Sequence, residues 1–239
     1  MQRAHSEYLS LAAATNNAAP QETHQPPMNE LDLGALLVSR VCHDLISPVA
    51  AISNGLEILA DEEDAEMRAH AMRLIEHSVG QAKARLLFAR QAFGAMGSAG
   101  AEIDLREVGE VAAEFFRAGK AKLEWHVPAI AVDKEIIRVL LNLAALGADC
   151  IPRGGLLTVK VETPRGAVVI SVVAKGLKAN LATDIKEGLA LKTPSEDLTG
   201  RTIAPFVTAL LAKKLGGAVA YAHEGDTVRF DVRFDRKPG

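Results

Sequence analysis

Two long stretches of helical periodicity constrain the fold of this chain more than any other feature. Between about residues 31 and 59, and again between about residues 67 and 93, apolar or small residues recur three or four positions apart. This spacing places them along one face of an α-helix. The first stripe consists of Val38, Val41, Leu45, Val49, Ile52, Leu56 and Leu59, and the second of Met67, Ala71, Leu74, Ser78, Ala82, Leu86, Ala89 and Phe93.

One helical hairpin cannot bury both stripes. The polar link ADEEDAE is short enough to turn the second helix back along the first. Two copies of such a hairpin can pair into a four-helix bundle that encloses a core. We therefore expect a homodimer, with residues 29–98 forming the bundle. Residues 1–28 lack periodicity and are expected to form a disordered tail.

The remainder of the chain alternates between helical and strand patterns. Helices are predicted in DLREVGEVAAEFFRAGK, which Asp104 caps, in DKEIIRVLLNLAALGADCI, which ends before Pro152, and in TIAPFVTALLAKKLGG. A strand is predicted in AKLEWHV, and two β-hairpins are expected to turn at residues 163–166 and 224–226. This order predicts an α/β sandwich over residues 99–239, and the whole chain is expected to be of the α+β class.

Charge, apolar runs and cysteines exclude several classes of protein. The 27 basic and 30 acidic residues form no basic block, so we expect no nucleic-acid binding. No uninterrupted apolar run reaches the ~18 residues of a membrane span, and because no apolar segment follows Arg3, we expect no signal peptide. Cys42 and Cys150 fit no metal-binding spacing. These features favour a reduced cytoplasmic protein that does not enter a membrane.

His43 is predicted to point away from the first stripe. At about 100° per residue, His43 lies about 160° from the stripe centre. The same outward half of the helix carries Arg40, Ile46, Ser47, Ala50 and Asn54. Exposed apolar residues near a histidine favour a docking surface for a partner. His70 and His77 on the second helix have no such neighbours, and we interpret them as ordinary solvated side chains.

Pro48 lies inside the helix that carries His43. A proline at this position removes the hydrogen bond to the carbonyl of Asp44, a defect that costs about 3 kcal/mol in an ordinary helix interior. It either kinks a long helix or loosens the turn that holds His43 and Asp44.

The segment HDLISPVAAISNGLEIL resembles the H-box of sensor histidine kinases, which has a phospho-accepting His, an acidic residue next, a Thr, Asn or Ser four positions on, and then Pro. In that family the box lies on the first helix of a dimeric hairpin, followed by an ATP-binding α/β domain. The layout from about residue 30 onward is similar to the ChpT-type histidine phosphotransferases. That resemblance implies a kinase-like dimerisation bundle and a degenerate ATPase-like domain.

The second domain resembles the kinase ATP-binding domain only in part. In the N-box-like segment RVLLNLAALGADCIPRGGLLTV the family's Mg²⁺-binding second Asn falls on Leu146. The adenine-binding Asp of the D-x-G-x-G box falls on Ala174, and its second Gly on Lys178. The phosphate-cradling loop falls on TGRTIAP, which keeps only Gly200. The N-box positions that match are Asn142, Pro152, Gly154 and Gly155. These losses argue against the use of ATP.

The resemblance implies that His43 accepts a phosphoryl group from the receiver domain of a hybrid histidine kinase and passes it to a response-regulator receiver. Asp44 is expected to fix the imidazole tautomer, and Ser47 to bond the phosphoryl group. We expect no cofactor on this chain, with Mg²⁺ supplied by the receiver. The residues expected to contact the partner are Arg40, Ile46, Ala50 and Asn54.

Two other interpretations stay open from the sequence. The first is an ATP-dependent histidine kinase or kinase-like phosphatase, which would have to bind nucleotide. The second is a dimeric adaptor that docks receivers without accepting phosphate. The degenerate domain itself either adds receiver specificity or only covers one end of the bundle.

Overall fold

The computed structural model describes residues 29–94 and 101–235. The predicted tail, residues 1–28, lies outside the described residues. Two long helices open the structure, α1 (Glu30–Asp61) and α2 (Ala65–Ala92). They pack against each other as the predicted hairpin. Asn29 and Asp64 cap their N-termini. Arg68 donates to the carbonyls of Leu59 and Glu62 at the end of α1, so hydrogen bonds close the turn between the helices.

The apolar stripes of the hairpin are only partly covered within one chain. Val41, Leu45, Ile52 and Leu59 are half-buried, and a Cβ added at the buried Gly55 would lie 2.6 Å from Ile75 Cγ1, so the helices approach closely. The remaining exposed apolar residues on these helices include Val38, Val49 and Leu56 on α1, and Met72, Val79 and Leu86 on α2. Their spacing is mostly one heptad, which is the pattern of a seam for further helices.

By length and composition, α1 is also apolar enough to cross a membrane. Counting uninterrupted apolar residues in the sequence does not reveal the apolar character of α1. Small polar residues such as Ser53 and Asn54 interrupt the run, but they add no charge. The helix is not apolar all round, however, since its outward face carries His43 and the charged Arg40 and Asp44. An amphipathic helix of this kind needs an apolar partner on one face only.

The α/β domain is built on a five-stranded sheet in the order β2-β4-β5-β7-β6. Its strands are β2 (Ala121–His126), β4 (Gly155–Glu162), β5 (Val168–Lys175), β6 (Ala220–Glu224) and β7 (Thr227–Phe234). β2 runs parallel to β4 and the other pairs are antiparallel. A separate two-stranded ribbon joins β1 (Glu102–Asp104) to β3 (Ala131–Asp133). The helices are α3 (Leu105–Arg117), α4 (Lys134–Asp149), α5 (Thr183–Leu189) and α6 (Ile203–Lys214).

Helix α4 occupies the centre of the molecule. Almost every residue from Ile137 to Gly147 is buried, including the polar Asn142. One side of α4 meets the sheet, where Gly147 comes close to Leu157 and Val172. The other side meets the hairpin, since Asn142 and Arg138 both donate to the carbonyl of Ala92 in α2. A helix that is apolar around most of its circumference has to be buried on all sides. Helix α4 is buried in this way because it lies between the sheet and the hairpin.

Aromatic packing strengthens the same junction. The ring of Phe88 in α2 stacks on Phe115 of α3 with the centroids 3.9 Å apart, and it meets Phe116 edge-on at 6.2 Å. The chain has only 4% aromatic residues, yet these three lie together. The hairpin and the α/β domain therefore share one continuous apolar core.

The predicted α+β class and the predicted elements of both parts are confirmed. Asp104 accepts a hydrogen bond from the N–H of Arg106 as the cap of α3, and the two β-hairpins turn where expected. The structure adds the β1–β3 ribbon and α5, and it pairs β2 with β4 in parallel. Strands of three residues are too short to show alternation, and α5 lies in a segment without a clear stripe.

The close contact between α4 and the sheet gives a test of the fold. A Cβ at position 147 would lie 2.7 Å from Leu157 Cδ1 and 3.0 Å from the stiff Val172 Cγ1. We expect Gly147→Val to lower the free energy of unfolding by about 1–3 kcal/mol through overpacking. Gly80→Val is the matched control, because nothing lies within 4 Å of a Cβ there. Urea unfolding followed by the fluorescence of Trp125 measures both, and equal effects would contradict the packing of α4.

Candidate functional site

His43 lies on the outer surface of α1, as the helical periodicity predicts. Its side chain is 76% exposed, and its Nδ1 lies 3.3 Å from Oδ1 of Asp44. In a neutral imidazole the nitrogen beside a carboxylate carries the proton, which leaves the other nitrogen with a free lone pair. The pairing therefore favours Nδ1–H toward Asp44 and a nucleophilic Nε2 toward solvent.

Arg40, one turn before His43, is turned toward its own chain. Its Nε donates to Oδ2 of Asp44 at 3.2 Å, and its Nη1 donates to the carbonyl of Arg201 at 3.2 Å. Its Nη2 lies 4.0 Å from Oδ2 of Asp149, and the side chain is only 18% exposed. Arg40 therefore joins the carboxylate beside His43 to the α/β domain.

The other residues predicted on the outward half of the helix lie on an open surface. Ser47, Ile46, Ala50 and Asn54 are all exposed along α1 after His43. They form a mixed apolar and polar strip that continues from the imidazole toward the hairpin turn. Among the predicted contact residues, Arg40 differs by having its guanidinium engaged within the chain.

Pro48 does not break α1, and the structure shows how its defect is compensated. Proline has no N–H, so the carbonyl of Asp44 loses its partner in the helix. The guanidinium of Arg85, on α2, donates to that carbonyl instead. This bond fastens the turn that carries His43 to the second helix of the hairpin.

Arg85 was missed in the sequence, although the hairpin offered a signal for it. Residues at equal distances from the turn of an antiparallel hairpin face each other. Asp44 precedes the turn residue Asp64 by 20 positions and Arg85 follows it by 21. A proline-orphaned carbonyl on one helix and an arginine opposite it on the other predict such a bond.

A cleft of about 420 Å³ separates His43 from the α/β domain. Its walls carry charges of both signs, from α1, from the end of α4, from α5 and from the segment before α6. The charged or polar residues are Arg40, His43, Asp44, Asp149, Asp184, Arg201 and Thr202. The protein around Asp149 raises the pKa of this carboxyl by removing water from it, against the opposite pull of Arg40.

The residues that match or replace kinase nucleotide-binding positions are buried or bonded within the chain. Asn142 is buried, and its Nδ2 donates to the carbonyls of Ala92 at 3.1 Å and Arg138 at 2.8 Å. Leu146 offers no metal ligand and is buried, and Ala174 is fully buried in the sheet. Both Asn142 and Leu146 border the small cavity against the hairpin, where they face helices of their own chain.

Two further positions of those boxes have structural roles. Lys178 has a φ of 59°, a left-handed conformation that favours glycine, and its N–H donates to Asp226 at 2.9 Å. Gly200 sits against α1, where an added Cβ would lie 3.0 Å from Oγ of Ser39 and 3.1 Å from N of Arg40. The surviving glycine is therefore needed for close approach of the α/β domain to the helix of His43.

Among residues 29–94 and 101–235, no group of His, Cys, Asp and Glu side chains is placed to hold a metal ion. Cys42 is exposed and Cys150 is buried, and neither is in a disulfide. Burial raises the pKa of the Cys150 thiol to about 12. That cysteine is protonated at neutral pH, and as a thiol it is neither a metal ligand nor a nucleophile.

Comparisons with known proteins agree with this geometry. Residues 105–227 match the family model for the histidine phosphotransferase C-terminal domain. The chain is 38% identical over 209 residues to the protein phosphotransferase ChpT of Brucella abortus (strain 2308), covering 86% of this chain and 97% of that protein. It is also similar to a solved bacterial phosphotransferase, with a TM-score of 0.79 and 35% identity over 87% of this chain and 98% of that one.

The bond from Arg85 to the Asp44 carbonyl predicts a specific coupling with Pro48. We expect Arg85→Met to lower the free energy of unfolding by about 1–3 kcal/mol, because the Asp44 carbonyl loses the donor that replaces the missing helix bond. In a Pro48→Ala background the alanine N–H takes over, so the loss on Arg85→Met should shrink by about 1 kcal/mol or more. Urea unfolding at one fixed protein concentration measures the cycle.

Arg73→Met on the same helix is the control for this cycle, since Arg73 is exposed and its guanidinium lies 3.5 Å from the ring of the exposed His70. It should have little effect in either background. A loss on Arg85→Met that is the same with Pro48 and with alanine would show that the arginine does not serve the orphaned carbonyl.

Proposed function

The chain belongs to the family of ChpT-type phosphotransferases, and we propose that His43 is the residue that carries the phosphoryl group in its phosphorelay. The donor is the aspartyl phosphate of a receiver domain, such as that of a hybrid histidine kinase, and the acceptor is the aspartate of a response-regulator receiver. The observation that supports this most is an exposed His43 whose Nδ1 faces a carboxylate while its Nε2 has no hydrogen-bond partner among the residues that the structure describes.

The chemistry needs little more than position and charge. The lone pair of Nε2 attacks phosphorus, the bond from phosphorus to the aspartyl oxygen breaks, and the receiver carboxylate leaves with the electron pair. The imidazole ring gains positive charge, which the carboxylate of Asp44 beside Nδ1 stabilises. The acceptor carboxylate reverses these steps. The Mg²⁺ that neutralises the phosphoryl oxygens belongs to the receiver, and Ser47 is proposed to bond one of those oxygens.

The receiver is proposed to dock along the strip that continues from His43. Ile46 supplies exposed apolar area, and Ala50 leaves room for a close approach by the partner. Asn54 supplies an amide at the far end of the strip. Arg40 lies at the edge of this surface and contributes mainly through its hold on Asp44.

We further propose that the protein does not use ATP, which separates it from the kinase alternative. The amide of Asn142 donates to the carbonyl of Ala92 in the hairpin. Leu146 has no atom that can bind a metal, and Gly200 packs closely against α1. A nucleotide would have to displace the contacts that hold the two parts of the fold together. The adaptor alternative does not explain why the imidazole of His43 is exposed and paired with Asp44 through Nδ1.

A second copy of the chain is proposed to cover the exposed apolar face of the hairpin. This face comprises Val38, Val49 and Leu56 on α1 with Met72, Val79 and Leu86 on α2. Both helices present it, and its spacing suits a four-helix bundle. A lipid bilayer is the other apolar partner, but the charged Arg40 and Asp44 on α1 oppose insertion. We propose a cytoplasmic homodimer that binds neither membrane nor nucleic acid.

The role of His43 is tested by offering the protein a phosphoryl group from two sources. With a labelled, phosphorylated receiver domain and Mg²⁺, we expect acid-labile, base-stable label on the wild type and none on His43→Gln. With labelled ATP alone we expect no label on either. Because the imidazole is exposed, His43→Gln should keep the wild-type unfolding midpoint.

His77→Gln is the control, since it removes another exposed imidazole from the same hairpin and should leave labelling unchanged. Label from ATP would establish a kinase. Full labelling of His43→Gln would refute the assignment, and label from neither source, with a receiver that transfers to a known phosphotransferase, would favour the adaptor.

The dimer is tested by placing a charge in the apolar face. We expect Leu56→Asp to shift the protein from dimer to monomer in sedimentation equilibrium, because a buried unpaired carboxylate in a bundle core costs several kcal/mol. Ile46→Asp adds the same charge on the same helix outside this face and should leave the dimer intact. A wild type that sediments as a monomer would contradict the proposal.

A further inference from the structure

Arg40 is held by three groups at once, and two of them come from the α/β domain. Its Nε reaches Asp44 on its own helix, while Nη1 and Nη2 face the Arg201 carbonyl and Asp149. Asp44 in turn uses one oxygen for Arg40 and the other for Nδ1 of His43. The side chains therefore form one chain of contacts, from the α/β domain to the imidazole.

The carbonyl of Arg201 is presented by a turn of fixed shape. The N–H of Thr199 donates to Oγ1 of Thr202, and the N–H of Thr202 donates back to the carbonyl of Thr199. Gly200, between them, brings this turn against the backbone of α1. A turn that is closed by its own side chains and pressed on the helix cannot follow a moving guanidinium, so it sets where Arg40 lies.

The position of Asp149 at the end of α4 favours a nearby cation such as Arg40. It is the last residue of α4, where the helix dipole places partial negative charge, and no basic residue occupies the last turn of α4. The charged groups around it are Arg40, Asp44, Asp184 and Arg201. Arg40 therefore supplies, from another part of the fold, the cation that the end of α4 lacks.

We propose that the α/β domain sets the tautomer of His43 through Arg40 and Asp44, with Asp149 and the Arg201 carbonyl as the anchors. Asp149 and Arg40 are thus positioning residues for phosphoryl transfer, and this inference rests on the proposed role of His43. With both anchors in place, the guanidinium keeps Asp44 turned toward Nδ1 and leaves Nε2 as the nucleophile. Without them, Arg40 and Asp44 are free to rotate, and the proton is shared between both ring nitrogens.

The test reads the imidazole directly. In the full chain, the ¹⁵N shifts of the His43 ring report which nitrogen carries the proton, whether or not any phosphoryl group is transferred. We expect wild type to have Nδ1 protonated, and Asp149→Asn and Arg40→Met to move the balance toward Nε2–H. Single-turnover transfer from a phosphorylated receiver should slow by about two- to fivefold in Asp149→Asn, the range expected for one lost exposed ion pair, and by more in Arg40→Met, which also loses two hydrogen bonds.

Asp231→Asn is the matched control, because it makes the same change in an exposed ion pair with Arg229 on the open face of the sheet. It should move neither the ring shifts nor the transfer rate. Asp149→Asn should also add nothing in an Arg40→Met background, since both act through one contact chain.

Unchanged ring shifts in Asp149→Asn would overturn the proposal, even where the rate falls, because a purely structural role can lower the rate without changing the tautomer. A wild type whose imidazole shows the expected tautomer but accepts no phosphoryl group would instead refute the proposed function. The two failures are therefore distinguishable in the same samples.

Discussion

The burial of α4 on both of its sides is the interaction on which the rest of the structure depends. Its sheet-facing side closes the core of the α/β domain, and its other side binds the end of the hairpin through Asn142. Because one helix belongs to both cores, the α/β domain has a defined position against α1. That position brings Asp149 and the turn at residues 199–202 beside the helix of His43. The arrangement of the site is thus a consequence of apolar packing some distance from the imidazole.

Helical periodicity predicted those features of the site that depend on a single helix. The direction of His43 follows from 100° per residue, and the structure agrees. The side chain of Arg40 starts from the outward half of the same helix, but it is long enough to bend back to Asp44 and the α/β domain. The position of a residue around the helix axis does not predict this bend. The bond from Arg85 to the Asp44 carbonyl depends on how α1 and α2 are aligned, which the periodicity of one helix does not give. Pairings between distant segments, such as parallel β2 and β4, were likewise beyond a single stretch of sequence.

Several positions that resemble the nucleotide-binding boxes of kinases have structural roles in this chain. Lys178 adopts the left-handed backbone of the glycine that the resemblance assigns there, held by Asp226. Gly200 permits the close approach of α1. Asn142 directs its amide out of α4 to the carbonyl of Ala92. These positions make contacts within the chain, since small and polar residues can receive a neighbouring segment closely.

The order of the elements along the chain has a consequence for synthesis. The hairpin is complete at Ala92, whereas its partner surface on α4 and the last core strand, β7, follow later. At about 5–20 residues per second, the ribosome needs roughly 7–28 s to make the chain from the end of α2 to the end of β7. Two ribosomes on one message could bring nascent hairpins together in that interval. The same face that would close a dimer in the finished protein therefore exposes the growing chain to aggregation.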